Sequence, residues 1–279
     1  MLEQTAGPPA AQSGAAVGTA AALEPSPIAL AQASTTCALC NQVVAPAVAE
    51  ERANKWMVLV LAAASGFMTT LDASIVNISL PDIAHGFGVP LAGSIEWVII
   101  GYLTVIAASL LSVGRLADIV GRKPVFLAGI ALFGLGSMLC GAAPALPALI
   151  GWRFLQGLGA ACIFAVNVAM VTTAFDAKER GRAVGINMVV VSLGVSIGPT
   201  LGGLITQFLT WRWIFYVNVP VAVAVFAVSW FVLVEPRSRQ RQGFDPAGAT
   251  LLAVGLALLT LGLSFGREWG WTSPGLVGT

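Results

Sequence analysis

The chain has 279 residues, 57% hydrophobic and 10% charged, with a mean hydropathy of +0.86. Soluble domains carry about 25% charged residues, so this composition excludes an ordinary water-soluble fold. A net charge of +1 leaves no basic footprint for nucleic acid. The charges cluster, and the apolar runs between them match the roughly 20 residues with which a helix spans hydrocarbon.

Met1 to Ala49 is rich in Ala, Pro, Gly, Gln, Ser and Thr and poor in large apolar groups. The composition predicts a disordered tail, taken as cytoplasmic over residues 1–52. It lacks the basic start and compact apolar core of a signal peptide. Cys37 and Cys40 form a C-x-x-C there. No second pair and no His follows at finger spacing, so two thiols in a flexible tail are expected rather than a metal site. Cys140 and Cys162 lie in apolar runs as packing residues, and a single His, His85, excludes paired-histidine zinc chemistry. No cofactor and no metal is expected.

Seven spanning helices follow, giving an all-α membrane protein. They are expected at about Trp56–Ile78, Ile95–Val113, Pro124–Ala142, Leu146–Ala169, Ala183–Phe208, Trp213–Val234 and Ala247–Phe265. Residues 53–234 form a six-helix bundle and 235–246 a cytoplasmic loop. Residues 247–279 form a seventh helix with an outer segment. With the N-terminus inside, cytoplasmic segments hold Arg52, Lys55, Arg115, Arg122, Lys123, Lys178, Arg180, Arg182, Arg237, Arg239 and Arg241. The outer loops hold only Arg212 and Arg267. Positive residues stay inside, which fixes that orientation and predicts a multi-pass protein of the cell inner membrane.

Asp72 lies in LDASIVNISLP, within the first span. Counted from Trp56 it sits roughly 24 Å along the helix, in the outer part of the membrane. A carboxylate there faces a cavity or a partner and suits proton loading and release; the other reading is an early helix end with Asp72 as a loop cap. Arg153, in LIGWRFLQGLGAA, sits roughly 10 Å into the fourth span, a compatible depth. It either tunes the protonation of Asp72 or is a structural partner only.

GRLADIVGRKP, Gly114 to Pro124, is expected as the loop joining the second and third spans. Gly114 and Gly121 would permit a tight turn. Asp118 would accept from Arg122 or cap a helix start, with Lys123 adding to the positive face. A generic positive-inside loop is the alternative. In the fifth span, GVSIGPTLGG places Gly194, Gly198 and Gly202 on one face at four-residue steps, beside Pro199 and Gly203. Such a face lets another backbone approach closely, and Pro199 is expected to bend the helix. The readings are a moving interface between bundles or ordinary close packing. Asn77, Gln156, Asn167, Asn187 and Gln207 are further polar groups in or near spans, unsorted between cavity lining and helix pairing.

Taken together, these stretches resemble the major facilitator superfamily. GRLADIVGRKP is similar to its loop motif, RFLQGLGAA to its helix-four motif and GVSIGPTLGG to its helix-five antiporter motif. LDASIVNISLP and WRWIFYVNVP, Trp211 to Pro220, resemble the drug:proton antiporter branch with about fourteen helices, the EmrB/QacA type. The resemblance covers about Trp56 onward. It implies a major-facilitator N-terminal six-helix bundle plus a seventh helix, working by alternating access to export hydrophobic, often cationic compounds in exchange for protons. By resemblance, Asp72 would couple protons and Arg153 assist them. Gly114, Asp118, Gly121, Arg122 and Lys123 would gate the cytoplasmic side, and the Gly194–Gly203 face would seal the helix-five interface. The family also implies a second bundle, so the sequence reads as C-terminally truncated, as an inactive fragment, or as needing a C-terminal half or second copy. Its expected partners are a small-molecule substrate, protons and the lipid bilayer. Other readings are a transporter of another small metabolite and a seven-helix membrane sensor. The seventh helix has no Lys for a retinal Schiff base, and no placed catalytic pair supports an intramembrane enzyme.

Overall fold

The computed structural model describes residues 54–91 and 93–234, together with 248, 250–251, 254–260 and 262. The expected tail over 1–52 with Cys37 and Cys40, the loop over 235–246 and most of the segment over 247–279 lie outside the described residues. Of the seventh helix, residues 254–260 are described and are helical.

Helix α1, Lys55–Ile78, starts at Asn54, whose side chain accepts from the Trp56 N–H at 3.1 Å; a side-chain oxygen satisfies one of the donors a helix start leaves free. Short α2, Leu80–Phe87, has Pro81 in its first turn and stops at Gly88 with φ 66°. A 3-10 turn, Gly93–Glu96, leads into α3, Trp97–Val120. The remaining helices are α4, Arg122–Gly141; α5, Leu146–Ala174; α6, Ala177–Phe208; α7, Trp213–Tyr216; and α8, Asn218–Val232. Six helical stretches among the described residues are long and apolar enough to cross a membrane, α7 and α8 together counting as one.

GRLADIVGRKP is not a loop. Gly114 through Val120 is the last part of α3, and the chain turns at Gly121 alone, where φ is 116°. That φ is one that side chains with a Cβ avoid. Hydropathy marks where the chain leaves hydrocarbon, and here the helix continues past that point. Likewise α6 begins six residues before its expected start and runs unbroken through Pro199. The break in the sixth span falls at Val217, between α7 and α8. Pro220 has no N–H for the carbonyl of Tyr216, four residues earlier.

Helix α1 packs along α6 and against α5, while α5 also takes α3 and α4, and α4 takes α8. Among the described residues the core falls into three apolar clusters. One holds Met68, Phe126, Phe133, Ala160, Ile163 and Ala222. A second holds Ile75, Cys140, Leu149, Ile214 and Phe215. A third, smaller one holds Leu59, Ala62, Val171, Phe175 and Ala183. Four helical stretches pass between the first two through polar residues. The order is Met68, Asp72, Ile75 on α1 and Phe133, Ser137, Cys140 on α4. It is Leu149, Arg153, Gln156, Ala160 on α5 and Phe215, Asn218, Ala222 along α7–α8.

Candidate functional site: a buried charged cage

The polar residues between the first two apolar clusters meet. Asp72 is fully buried and Arg153 is 1% exposed. The Arg153 guanidinium Nη1 donates to Asp72 Oδ2 at 2.7 Å and to Gln156 Oε1 at 2.7 Å. Its Nε donates to the Val98 carbonyl at 3.0 Å. The guanidinium carbon lies 4.1 Å from the centre of the Tyr102 ring and 5.8 Å from that of Phe215. Tyr102 itself donates to the Thr69 carbonyl at 3.4 Å.

The other carboxylate oxygen meets two amides. Gln156 Nε2 donates to Asp72 Oδ1 at 3.0 Å and to Ser137 Oγ at 2.8 Å. Asn218 Nδ2 donates to the same two oxygens at 2.8 and 3.1 Å. Two NH2 groups thus bridge one carboxylate oxygen and one hydroxyl, and every amide hydrogen has an acceptor. The close approach is set by small residues. A Cβ on Gly136 would fall 2.9 Å from Gln156 N, Cα and Cβ. One on Gly157 would fall 2.9 Å from the Tyr102 carbonyl oxygen, and one on Gly159 would fall 2.4 Å from Phe133 N. The glycines of RFLQGLGAA therefore draw α3 and α4 onto the helix that carries Arg153.

A buried ion pair is held only if its remaining bonds are made. Here the cation has a carbonyl, an amide oxygen and a ring face besides its carboxylate. Those contacts do not depend on the charge of Asp72, so the cage can keep Arg153 partnered while the carboxylate is charged or neutral.

The residues expected to gate sit elsewhere. Asp118 is exposed and is not paired with Arg122. Arg122 instead donates to the Ala169 carbonyl at 3.0 Å and to Thr173 Oγ1 at 3.3 Å, and Lys123 donates to the Trp230 carbonyl at 3.0 Å. These cations serve carbonyls near the C-terminal ends of α5 and α8, where positive charge is favoured. The capping role expected for Asp118 is absent too: α4 starts at Gly121 with no side-chain cap. Gly114 is a helix-interior residue; with Leu110, Leu111, Arg115, Asp118, Phe164 and Ala165 it lines a cleft of about 420 Å³.

The α6 glycines face α1 within the same bundle. A Cβ on Gly194 would lie 2.4 Å from Thr70 Oγ1, and one on Gly202 would lie 2.7 Å from Ile78 Cγ2. Gly203 departs from the expectation, because a Cβ there meets nothing within 4 Å. Thr70 donates to the Val191 carbonyl at 2.9 Å. Farther along the same interface Asn187 donates to Asn167 at 2.6 Å, and Asn167 donates to the Ala62 carbonyl at 2.7 Å. Asn77 and Gln207 are exposed.

Sequence reasoning singled out Asp72 and Arg153, left Gln156 unsorted, and missed Ser137, Tyr102 and Asn218. Asn218 was within reach. It stands in an apolar span inside WRWIFYVNVP, and a buried carboxylate needs more donors than one arginine supplies.

Six spanning helices around a buried charged cage define a multi-pass membrane protein. Residues 62–276 match the family described as Major Facilitator Superfamily, and the chain belongs to it. It is 41% identical over 208 residues to the multidrug resistance protein Stp of Mycobacterium tuberculosis, covering 74% of this chain and 38% of that protein. It is 41% identical over 216 residues to the cephamycin export protein CmcT of Amycolatopsis lactamdurans (76% and 44%). It is 36% identical over 211 residues to the riboflavin transporter RibZ of Clostridioides difficile (75% and 46%). The matched region thus spans less than half the length of these relatives. The fold is also similar to the proton:xylose symporter XylE, with a TM-score of 0.59 at 16% identity, covering 78% of this chain and 55% of that one.

Proposed function

We propose that the chain is the first bundle of a proton-coupled exporter, carrying small hydrophobic or cationic compounds out of the cell in exchange for protons. The observation that carries this reading is the Asp72–Arg153 cage, a titratable carboxylate inside a membrane bundle with contacts that hold its counter-ion in either charge state. An intramembrane carboxylate is a functional site by default. Relatives named for multidrug resistance and cephamycin export support the outward direction of cargo.

In this reading Asp72 exchanges the proton and Arg153 sets when it does so. Gly114, Asp118, Gly121, Arg122 and Lys123 form the gate at the cytoplasmic side. The Gly194, Gly198, Pro199 and Gly202 seam keeps α6 fixed to the helix that bears Asp72. The positive residues Lys55, Arg115, Arg122 and Lys123 put the N-terminus in the cytoplasm of a cell whose inner membrane holds the protein. Alternating access needs two bodies, so the cage works against a second bundle, supplied by a C-terminal half or a second copy. The least covered spans, α3 and α6, are the faces such a bundle would meet.

The test is efflux of a cationic dye from cells lacking their own exporters, with and without a proton uncoupler. The chain is expressed alone and together with the C-terminal half of Stp. Uncoupler-sensitive efflux in either arm, abolished by Asp72→Asn, is expected; dye retention in both arms sinks the reading. A second reading, transport of another small metabolite, draws on the relative named as a riboflavin transporter. Riboflavin movement measured in the same cells separates the two.

A further inference from the structure

We infer that Asn218 is a positioning residue that decides which oxygen of Asp72 takes the proton. The inference rests on the proton-exchange reading of Asp72 and adds to it a division of labour within the carboxylate. A carboxylate offers about four lone-pair sites, two on each oxygen. On Oδ1 both are filled by neutral amides, from Gln156 at 3.0 Å and Asn218 at 2.8 Å. On Oδ2 the contact is the Arg153 guanidinium at 2.7 Å.

The two sides respond differently to charge. A carbonyl oxygen of a neutral carboxyl still accepts from amides, so Oδ1 keeps its partners when Asp72 is protonated. The contact at Oδ2 is an ion pair and weakens when the carboxylate loses its charge. Oδ2 is therefore where the proton enters. Loading forms one O–H bond at Oδ2 with a proton taken from water and leaves Oδ1 as the carbonyl oxygen. Release returns that proton to water and restores the ion pair. Arg153 stays on the Val98 carbonyl, the Gln156 amide oxygen and the Tyr102 face throughout.

Asn218 and Gln156 make this side choice by holding Oδ1, and Ser137 Oγ anchors both amides from behind. The titratable and charged groups facing the cage are Arg153 from α5, Tyr102 from α3 and Cys140 from α4. Cys140 Sγ lies 3.8 Å from the Gln156 amide oxygen. Helices α7 and α8 contribute only the neutral Asn218 and the Phe215 ring among the contacts described. Gln156 rides on the same helix as Arg153 and moves with it. Asn218 comes from a separate helix, at the first residue after the Val217 break, and is the independent half of the clamp.

The experiment is infrared spectroscopy of the chain in lipid bilayers, titrated with pH, with the Asp72 carboxyl band assigned by its loss in Asp72→Asn. In the unsubstituted chain the protonated band is expected at the low frequency of a carbonyl accepting two hydrogen bonds. Asn218→Ala and the shape-matched Asn218→Leu remove one of those bonds and are expected to move the band to higher frequency. An unmoved band in a folded variant, or a band at the frequency of a free carbonyl in the unsubstituted chain, overturns the inference. Neither measurement involves transport. A shifted band in a chain that exports nothing upholds the clamp and sinks the exporter reading; export with an unmoved band does the reverse.

Discussion

The hydroxyl of Ser74 donates to the carbonyl of Val195 at 2.8 Å, in the place that Pro199 leaves empty. Inside a helix that carbonyl would accept from the N–H four residues on, and a proline at 199 has none. Helix α1 supplies the missing donor. Gly198 makes room, because a Cβ there would sit 2.3 Å from Ser74 Oγ. Residues from two helices thus form one joint, and α6 continues through its proline because α1 is beside it.

The joint predicts a dependence between two positions. Ser74→Ala should cost about 1 kcal/mol by leaving a carbonyl without a donor. In a Pro199→Ala background, where the helix regains its own donor, the same change should cost clearly less. Equilibrium unfolding in mixed micelles, run as a double-mutant cycle, measures the difference. Equal costs in both backgrounds would show that the hydroxyl does not serve the proline's vacancy.

Two neighbouring glycines should behave oppositely. Gly198→Ala pushes a methyl group into Ser74 and should cost about 1–3 kcal/mol, the usual range for overpacking. Gly203→Ala meets open space and should cost nothing. The same unfolding assay compares them, and similar losses at both sites would contradict the one-sided seam.

Gly136→Ala should disturb the cage from a distance. Its methyl group would press on the backbone of Gln156 and draw the amide away from Asp72 Oδ1. The expected result is a loss of about 1–3 kcal/mol, accompanied by a displaced Asp72 carboxyl band. A loss of stability with an unchanged band would place the strain elsewhere.

Lys55 and Glu179 form an ion pair between the first turns of α1 and α6, with side chains 37% and 48% exposed. That exposure makes the pair weak. A double-mutant cycle should give a coupling of about 0.2–1 kcal/mol, fading as salt screens it. A larger, salt-independent value would mean the pair is shielded.

The ends of the site were legible in different degrees, for physical reasons. Asp72 and Arg153 stand out because a charge inside an apolar run is costly and needs an explanation. Gln156, Asn167 and Asn187 are uncharged, and amides in spans are common enough that sequence cannot say which turn faces which neighbour. Asn218 and Ser137 were hidden for the same reason, since their meaning lies in the carboxylate that they share. Gly114 was misplaced because Arg115 and Asp118 interrupt the hydropathy without interrupting the helix. The glycine face of α6 was readable from its four-residue spacing, but its partner within the bundle was not. Nothing in a single stripe of small residues names the helix that lies on it.

The cage also sets an order of assembly. Asp72 belongs to the earliest of the six spans among the described residues, Arg153 follows 81 residues later and Asn218 146 residues later. A ribosome therefore releases a helix bearing a lone carboxyl group into the insertion machinery well before its partners exist. The cage closes only when the span bearing Asn218 arrives. The residues of the cage thus also report that every helix contributing to it has been made.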